Sequence, residues 1–174
     1  MPVQPWRVRA AVTAAMLSLL MITACMRPLA PAPAVIRDSP PPWDAPRDAI
    51  SYIEAAGLTA EPLNTKGETH IVDMTVVVDG WAVSIPAYVG IDRLRAQQAA
   101  VHTHDTTNQV WLEGRDIDPV TLGQFFTVWA VRFDDRCLGA ACEEVTVTAD
   151  GRTVTEPRSL LLAQVNEVTV TARS

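Results

Sequence analysis

The stretch "HIVDMTVVVDGWAVSI" contains Asp79-Gly80 between two β-rich runs. A two-residue hairpin turn of the type that suits strand twist needs positive φ at both central positions, and Asp-Gly is one of the few pairs that accepts it. The flanking runs are therefore expected to pair as an antiparallel hairpin. Alternation along the first run puts His70, Val72, Met74, Val76 and Val78 on one face, with Ile71, Asp73, Thr75 and Val77 on the other. The same grammar returns at Asp150-Gly151 in "EEVTVTADGRTVTEP", and "LLLAQVNEVTVTAR" ends the chain on another alternating run. A third hairpin is expected in "VHTHDTTNQVWLEG", its turn built by Asp105 to Asn108 and with His102 and His104 on one face.

Two segments break this pattern. In "DAISYIEAAGL", Asp48 is placed to cap a short helix whose Ile50, Ile53 and Leu58 share a face and whose end falls at Gly57. In "TLGQFFTVWAV", Thr121 and Gln124 have capping-box spacing, while Leu122, Phe125, Phe126 and Trp129 recur at helical intervals, as a core helix requires. The piece between, "DRLRAQQAA", reads as helical or irregular. Residues 48–174 are thus expected to form one mainly β, α+β domain: about six strands in antiparallel hairpins, one core helix and one short N-terminal helix. Trp43 and Trp81 are expected to be exposed.

Residues 26–47 hold seven of the thirteen prolines and little that can form a core, so 25–47 reads as a disordered, semi-rigid spacer. Before it, Arg7 and Arg9 precede an apolar run over 10–24. Fifteen residues at about 1.5 Å each give roughly 22 Å of helix, short of the roughly 30 Å hydrocarbon core, so 1–24 reads as an export signal and not as a span. The run ends in "ITAC", which resembles the lipobox of bacterial lipoproteins. That resemblance implies cleavage after Ala24, lipidation of Cys25 by a diacylglyceryl group and an N-acyl chain such as palmitate, and a lipid anchor on the extracytoplasmic face of the cell membrane. Two or three chains at about 0.8 kcal/mol per buried methylene hold more firmly than the marginal single chain. The alternative is an ordinary signal peptide that happens to end in cysteine.

The formal net charge is −6, and loss of Arg7 and Arg9 makes it more negative still. Nucleic acid is excluded as a partner on these grounds. Cys137 and Cys142 in "DRCLGAACEE" remain once Cys25 is used. In an oxidising compartment, and with Gly139 between them, they are expected to form a disulfide worth about 2 kcal/mol of loop entropy. A two-cysteine metal or redox site is the rival reading, disfavoured by the four-residue gap and the lack of a neighbouring histidine.

The chain has three histidines, and two of them flank Thr103 in "HTHD". His102 and His104 project from one strand face, with Asp105 opening the turn beside them; His70 on the neighbouring strand or Glu113 across the hairpin is available to complete a set. Imidazole and carboxylate donors suit Zn²⁺ or Cu²⁺ better than Ca²⁺ or Mg²⁺. The competing reading is an Asx turn at Asp105 with histidines bonded to backbone. No G-x-S-x-G or comparable nucleophile signature is present, so the sequence does not point to an enzyme. Two functions stay open: a module binding a divalent metal or small ligand, with His102, His104 and either His70 or Asp105 as donors, and an interaction module for an envelope protein partner, with structural histidines.

The succession "AAGL", strand-Asp-Gly-strand, "HTHD", "TLGQFFTVWAV" and a last Asp-Gly hairpin resembles an uncharacterised family of exported actinobacterial proteins that share HTHD and TLGQFF-x-VW segments. The likeness covers nearly all of the domain and implies a shared extracytoplasmic fold in which the HTHD segment matters, with no activity attached. Members of that family carry a His-x-His pair on the first strand and a further histidine after the HTHD turn. Here His70 and Asp73, and then Trp111-Leu112-Glu113, stand in those places, so two potential ligands are replaced.

Overall fold

The structure is a computed structural model and describes residues 31–174. The expected export signal over 1–24 and the expected lipid site Cys25 lie outside the described residues. Among the described residues no helix is long and apolar enough to cross a membrane.

The fold is α+β and mainly β. The strands are β1 (Glu61–Pro62), β2 (Glu68–Val78), β3 (Trp81–Val83), β4 (Ile91–Asp92), β5 (Gln97–Gln98), β6 (Val101–His102), β7 (Gln109–Gly114), β8 (Glu144–Ala149), β9 (Arg152–Thr153) and β10 (Glu167–Arg173). The helices are α1 (Ala49–Ala55) and α2 (Leu122–Val128), with 3₁₀ turns at Pro157–Ser159 and Leu162–Gln164. The larger sheet runs β6-β7-β2-β10-β8-β9, with β3 also on β2; the smaller runs β1-β5-β4.

Both Asp-Gly hairpins form as expected. Val78 pairs with Trp81 and Ala149 with Arg152. Asp79 and Gly80 take φ of 52° and 82°, and Asp150 and Gly151 take 46° and 74°, all in the left-handed region that the turn demands. The parity of β2 also holds, since Val72, Met74, Val76 and Val78 are buried while Asp73 and Thr75 are exposed. The carboxylate of Asp79 then accepts from both the backbone N–H and the hydroxyl of Ser174, which ties the chain end to this turn.

One pairing departs from the hairpin picture: β10 lies parallel to β2, with Val168 beside Met74 and Val170 beside Val76. The helices confirm one cap and correct another. In α2, Thr121 accepts from the Gln124 N–H while the Gln124 side chain accepts from the Thr121 N–H, the expected capping box. Phe125, Phe126 and Trp129 are fully buried behind it. At α1 the Asp48 side chain does not cap the helix. Its carboxylate faces outward instead, accepting from the Ala32 N–H and pairing with Arg95. The "DRLRAQQAA" segment is neither helix nor coil but the β4–β5 hairpin.

The spacer is corrected more substantially, because residues 37–47 pack on the domain. The Arg37 N–H donates to the Ala130 carbonyl, and its guanidinium donates to the carbonyls of Trp129 and Asp44, both at 2.6 Å. Trp43, expected at the surface, is 2% exposed and meets Trp129 edge to face at 5.6 Å. Trp81 is exposed, as expected. The disulfide Cys137–Cys142 is present, with Cα atoms 4.2 Å apart. Its loop closes over the same tryptophan: Gly139 has φ of 56°, and a Cβ there would lie 2.5 Å from the Trp43 ring. Only glycine satisfies both constraints.

Candidate metal centre

The site sits at the β6–β7 edge of the larger sheet. His102 pairs with Trp111 in register, so Glu113, two residues further along β7, is its diagonal neighbour on the same face. The segment before β4 holds the outer side of β6. Tyr88 N–H donates to the Thr103 carbonyl, Thr103 N–H to the Val89 carbonyl, and the Thr103 hydroxyl donates to the Pro86 carbonyl while accepting from the Val89 N–H. With Thr103 locked in this way, the imidazoles on either side of it turn toward β7.

Three donor atoms converge. His102 Nε2 lies 3.2 Å from His104 Nε2 and 3.5 Å from Glu113 Oε2, and the remaining side of the triangle is 4.0 Å. His102 is fully buried, whereas the His104 and Glu113 side chains are 45% and 29% exposed, so one face of the triangle opens to solvent. His102, His104 and Glu113 form a group that can hold a metal ion. Four tetrahedral ligands at about 2.0–2.1 Å from zinc are about 3.3 Å apart, close to the 3.2 and 3.5 Å edges and shorter than the 4.0 Å one.

The protonation state follows from the neighbours. His102 Nδ1 is 2.9 Å from the Ala99 carbonyl oxygen, which can only accept, so Nδ1 carries the hydrogen. In the neutral ring Nε2 then presents a bare lone pair to His104 and Glu113. Burial, the largest influence, pushes the His102 pKa down; His104 adds to that, while the Ala99 carbonyl and Glu113 oppose it. That lone pair lies within hydrogen-bond reach of His104 Nε2, whose hydrogen can satisfy it, and a cation bound by all three groups would take the same place. No family model, curated protein or solved structure matches the chain.

The sequence-expected donors divide. His102 and His104 meet as expected from their alternation, and Glu113, available across the hairpin, joins them. Asp105 does not. Its Oδ1 accepts from the N–H and hydroxyl of Thr107, closing an Asx turn, and those bonds hold its pKa below the usual carboxylate value. His70 is also elsewhere: it pairs with Leu112, whose parity is opposite to that of Trp111 and Glu113, and its Nε2 bonds the Val165 carbonyl at 2.7 Å. The signal for Glu113 over both was available in the hairpin register. A turn at 105–108 places His102 opposite Trp111, and position 113 is the next residue on that face.

Trp111 stands edge-on to His104, ring centroids 5.0 Å apart. It walls one side of the triangle and limits the directions in which the His104 ring can turn.

Proposed function

We propose that this chain is a lipid-anchored extracytoplasmic lipoprotein that binds a divalent transition metal, zinc before copper, through His102, His104 and Glu113. The observation that carries the reading is the convergence of three donor atoms, with the buried His102 Nε2 lying 3.2 Å from a second imidazole and 3.5 Å from a carboxylate. The two shorter edges, 3.2 and 3.5 Å, lie near the tetrahedral spacing and support zinc, while the donor types suit copper as well. Three protein ligands with one exposed face leave a position for water or for a ligand atom of an acceptor, which suits holding or handing over the ion. Arg7 and Arg9, the apolar run over 10–24 and the "ITAC" lipobox support the anchor at Cys25. The resemblance to exported proteins sharing the HTHD segment supports the same compartment.

Calorimetric titration with Zn²⁺ and Cu²⁺ tests the metal, comparing the wild type with the double variant His104→Ala, Glu113→Gln. Both side chains are partly exposed, so the fold should survive their loss. Zinc affinity is expected to fall by about 100-fold or more, since two ligands go where a single supporting contact already costs 10–100-fold. Equal affinity in the two proteins makes the histidines structural and hands the function to an envelope protein-interaction module. Cys25→Ala is expected to move the protein from the detergent phase to the aqueous phase on partitioning.

A further inference from the structure

Resting on the reading of Cys25 as lipidated, we propose that the β4–β5 turn, Arg93 to Ala96, is a second membrane contact. In this arrangement Leu94 enters the headgroup region of the anchoring bilayer, and Arg93 and Arg47 lie on anionic phosphates.

The turn is built to hold an apolar side chain outward. Asp92, fully buried, accepts from the backbone N–H groups of Leu94 and Arg95 at 3.0 and 2.9 Å and from the Arg95 guanidinium at 2.7 Å. Ala96 completes the bend with φ of 52°. Leu94, pinned at its own N–H, is left 92% exposed, the most exposed of the large hydrophobic residues. Beside it Arg93 lies over the Tyr88 ring at 4.4 Å, and Tyr88 is itself 41% exposed. Arg47 lines the same groove. Among the described residues neither Arg47 nor Arg93 makes an ion pair, whereas the nearby carboxylates of Asp48 and Asp92 are both engaged by Arg95. An exposed leucine between cationic side chains, with an aromatic ring beside it, is the composition of an interfacial membrane contact.

The leash determines which face meets the bilayer. Cys25 and Pro31 are six residue steps apart, so the chain between them spans at most about 20 Å. A domain of this length measures about 35 Å across, so the leash is too short to let it turn freely. The described chain begins beside the turn: Ala32 N–H donates to Asp48 Oδ2 at 3.2 Å, and Asp48 Oδ1 takes Arg95 at 3.3 Å. One carboxylate therefore separates the start of the leash from the Arg93–Ala96 hairpin. Tethering raises the effective lipid concentration there, so a contact too weak to recruit a free protein is populated in the anchored one. The net charge, more negative than −6 once Arg7 and Arg9 are lost, repels an anionic surface as a whole, so the contact depends on Arg47 and Arg93 being the groups that face it.

The test uses the lipidated full-length protein in vesicles of equimolar phosphatidylglycerol and phosphatidylcholine. With Cys25 lipidated and Cys137 bonded to Cys142, Leu94→Cys supplies a free thiol for an environment-sensitive fluorophore whose own apolar ring replaces the leucine. A label at Thr153→Cys, on the far-edge strand β9 of the larger sheet, is the comparison. Blue-shifted, enhanced emission is expected at 94 and not at 153. Reversing Arg47→Glu and Arg93→Glu should reduce the inserted population by about tenfold or more while vesicle flotation persists. Flotation with an unshifted label at 94, or equal shifts at both sites, overturns the contact and leaves the anchor standing. Failure of the wild type to float overturns the anchor reading and this inference with it.

Discussion

Replacing Trp43 by alanine is expected to destabilise the domain by about 3–5 kcal/mol, the range for deleting a fully buried large aromatic. The ring touches three parts of the chain. It meets Trp129 edge to face, its indole N–H donates to the Ser39 carbonyl, and Gly139 in the disulfide loop packs on its ring. Its own carbonyl accepts from the Trp129 indole at 3.1 Å, and that bond stays available to alanine, so the loss is one of packing and of the indole bond to Ser39. Domains of this size have about 5–15 kcal/mol in hand, which makes the cost a large share of the total. Urea denaturation followed by circular dichroism measures it and avoids the changed tryptophan fluorescence. A midpoint within error of the wild type would mean that residues 37–47 are a free spacer after all, as their composition suggests.

That composition misleads for a physical reason. A proline-rich segment has little to bury, but proline also restricts the unfolded chain, so ordering it costs less entropy and a few good contacts suffice. Here those contacts are Arg37 on the Ala130 backbone and Trp43 on Trp129, partners 93 and 86 residues away, and no local pattern reports them. The parallel pairing of β10 with β2 is hidden for the same reason. Its strands are legible one by one from alternation, but their adjacency depends on which β-rich face remains unpaired after the hairpins form. Turns carry their own chemistry, so Asp79-Gly80 and Asp150-Gly151 fix register locally and could be read directly. The site shows both behaviours. Convergence of His102 and His104 follows from period two. The exclusion of His70 follows from the parity of β2 against β7, which requires knowing that Leu112 and not Trp111 stands opposite. Asp105 looked like a donor by proximity, yet its carboxylate is taken by the turn it opens.

Zinc is expected to raise the melting temperature by about 5–10 °C near pH 7.5 when present at about 100 times its dissociation constant, and by little at pH 5. A ligand that binds only the folded state at that excess adds about 2.7 kcal/mol, which gives the size of the shift for a domain of this length. The pH dependence has two parts with the same sign. His102, with a folded pKa depressed below 6.5 by burial, is neutral in the fold, and its neighbours His104 and Glu113 act in opposite directions on it. Its contribution to stability is fully present above 6.5 and is lost as the pH falls toward the folded value, because the unfolded chain takes up the proton first. Metal binding adds to this, since both imidazoles must be unprotonated to ligate and protons therefore compete with zinc. The metal-free domain should lose stability gently over this range, and the zinc increment should disappear on top of it. Thermal melts with zinc and with chelator at several pH values separate the two curves. A zinc increment that persists unchanged at pH 5 would remove His102 and His104 from the site and leave the metal on carboxylates alone.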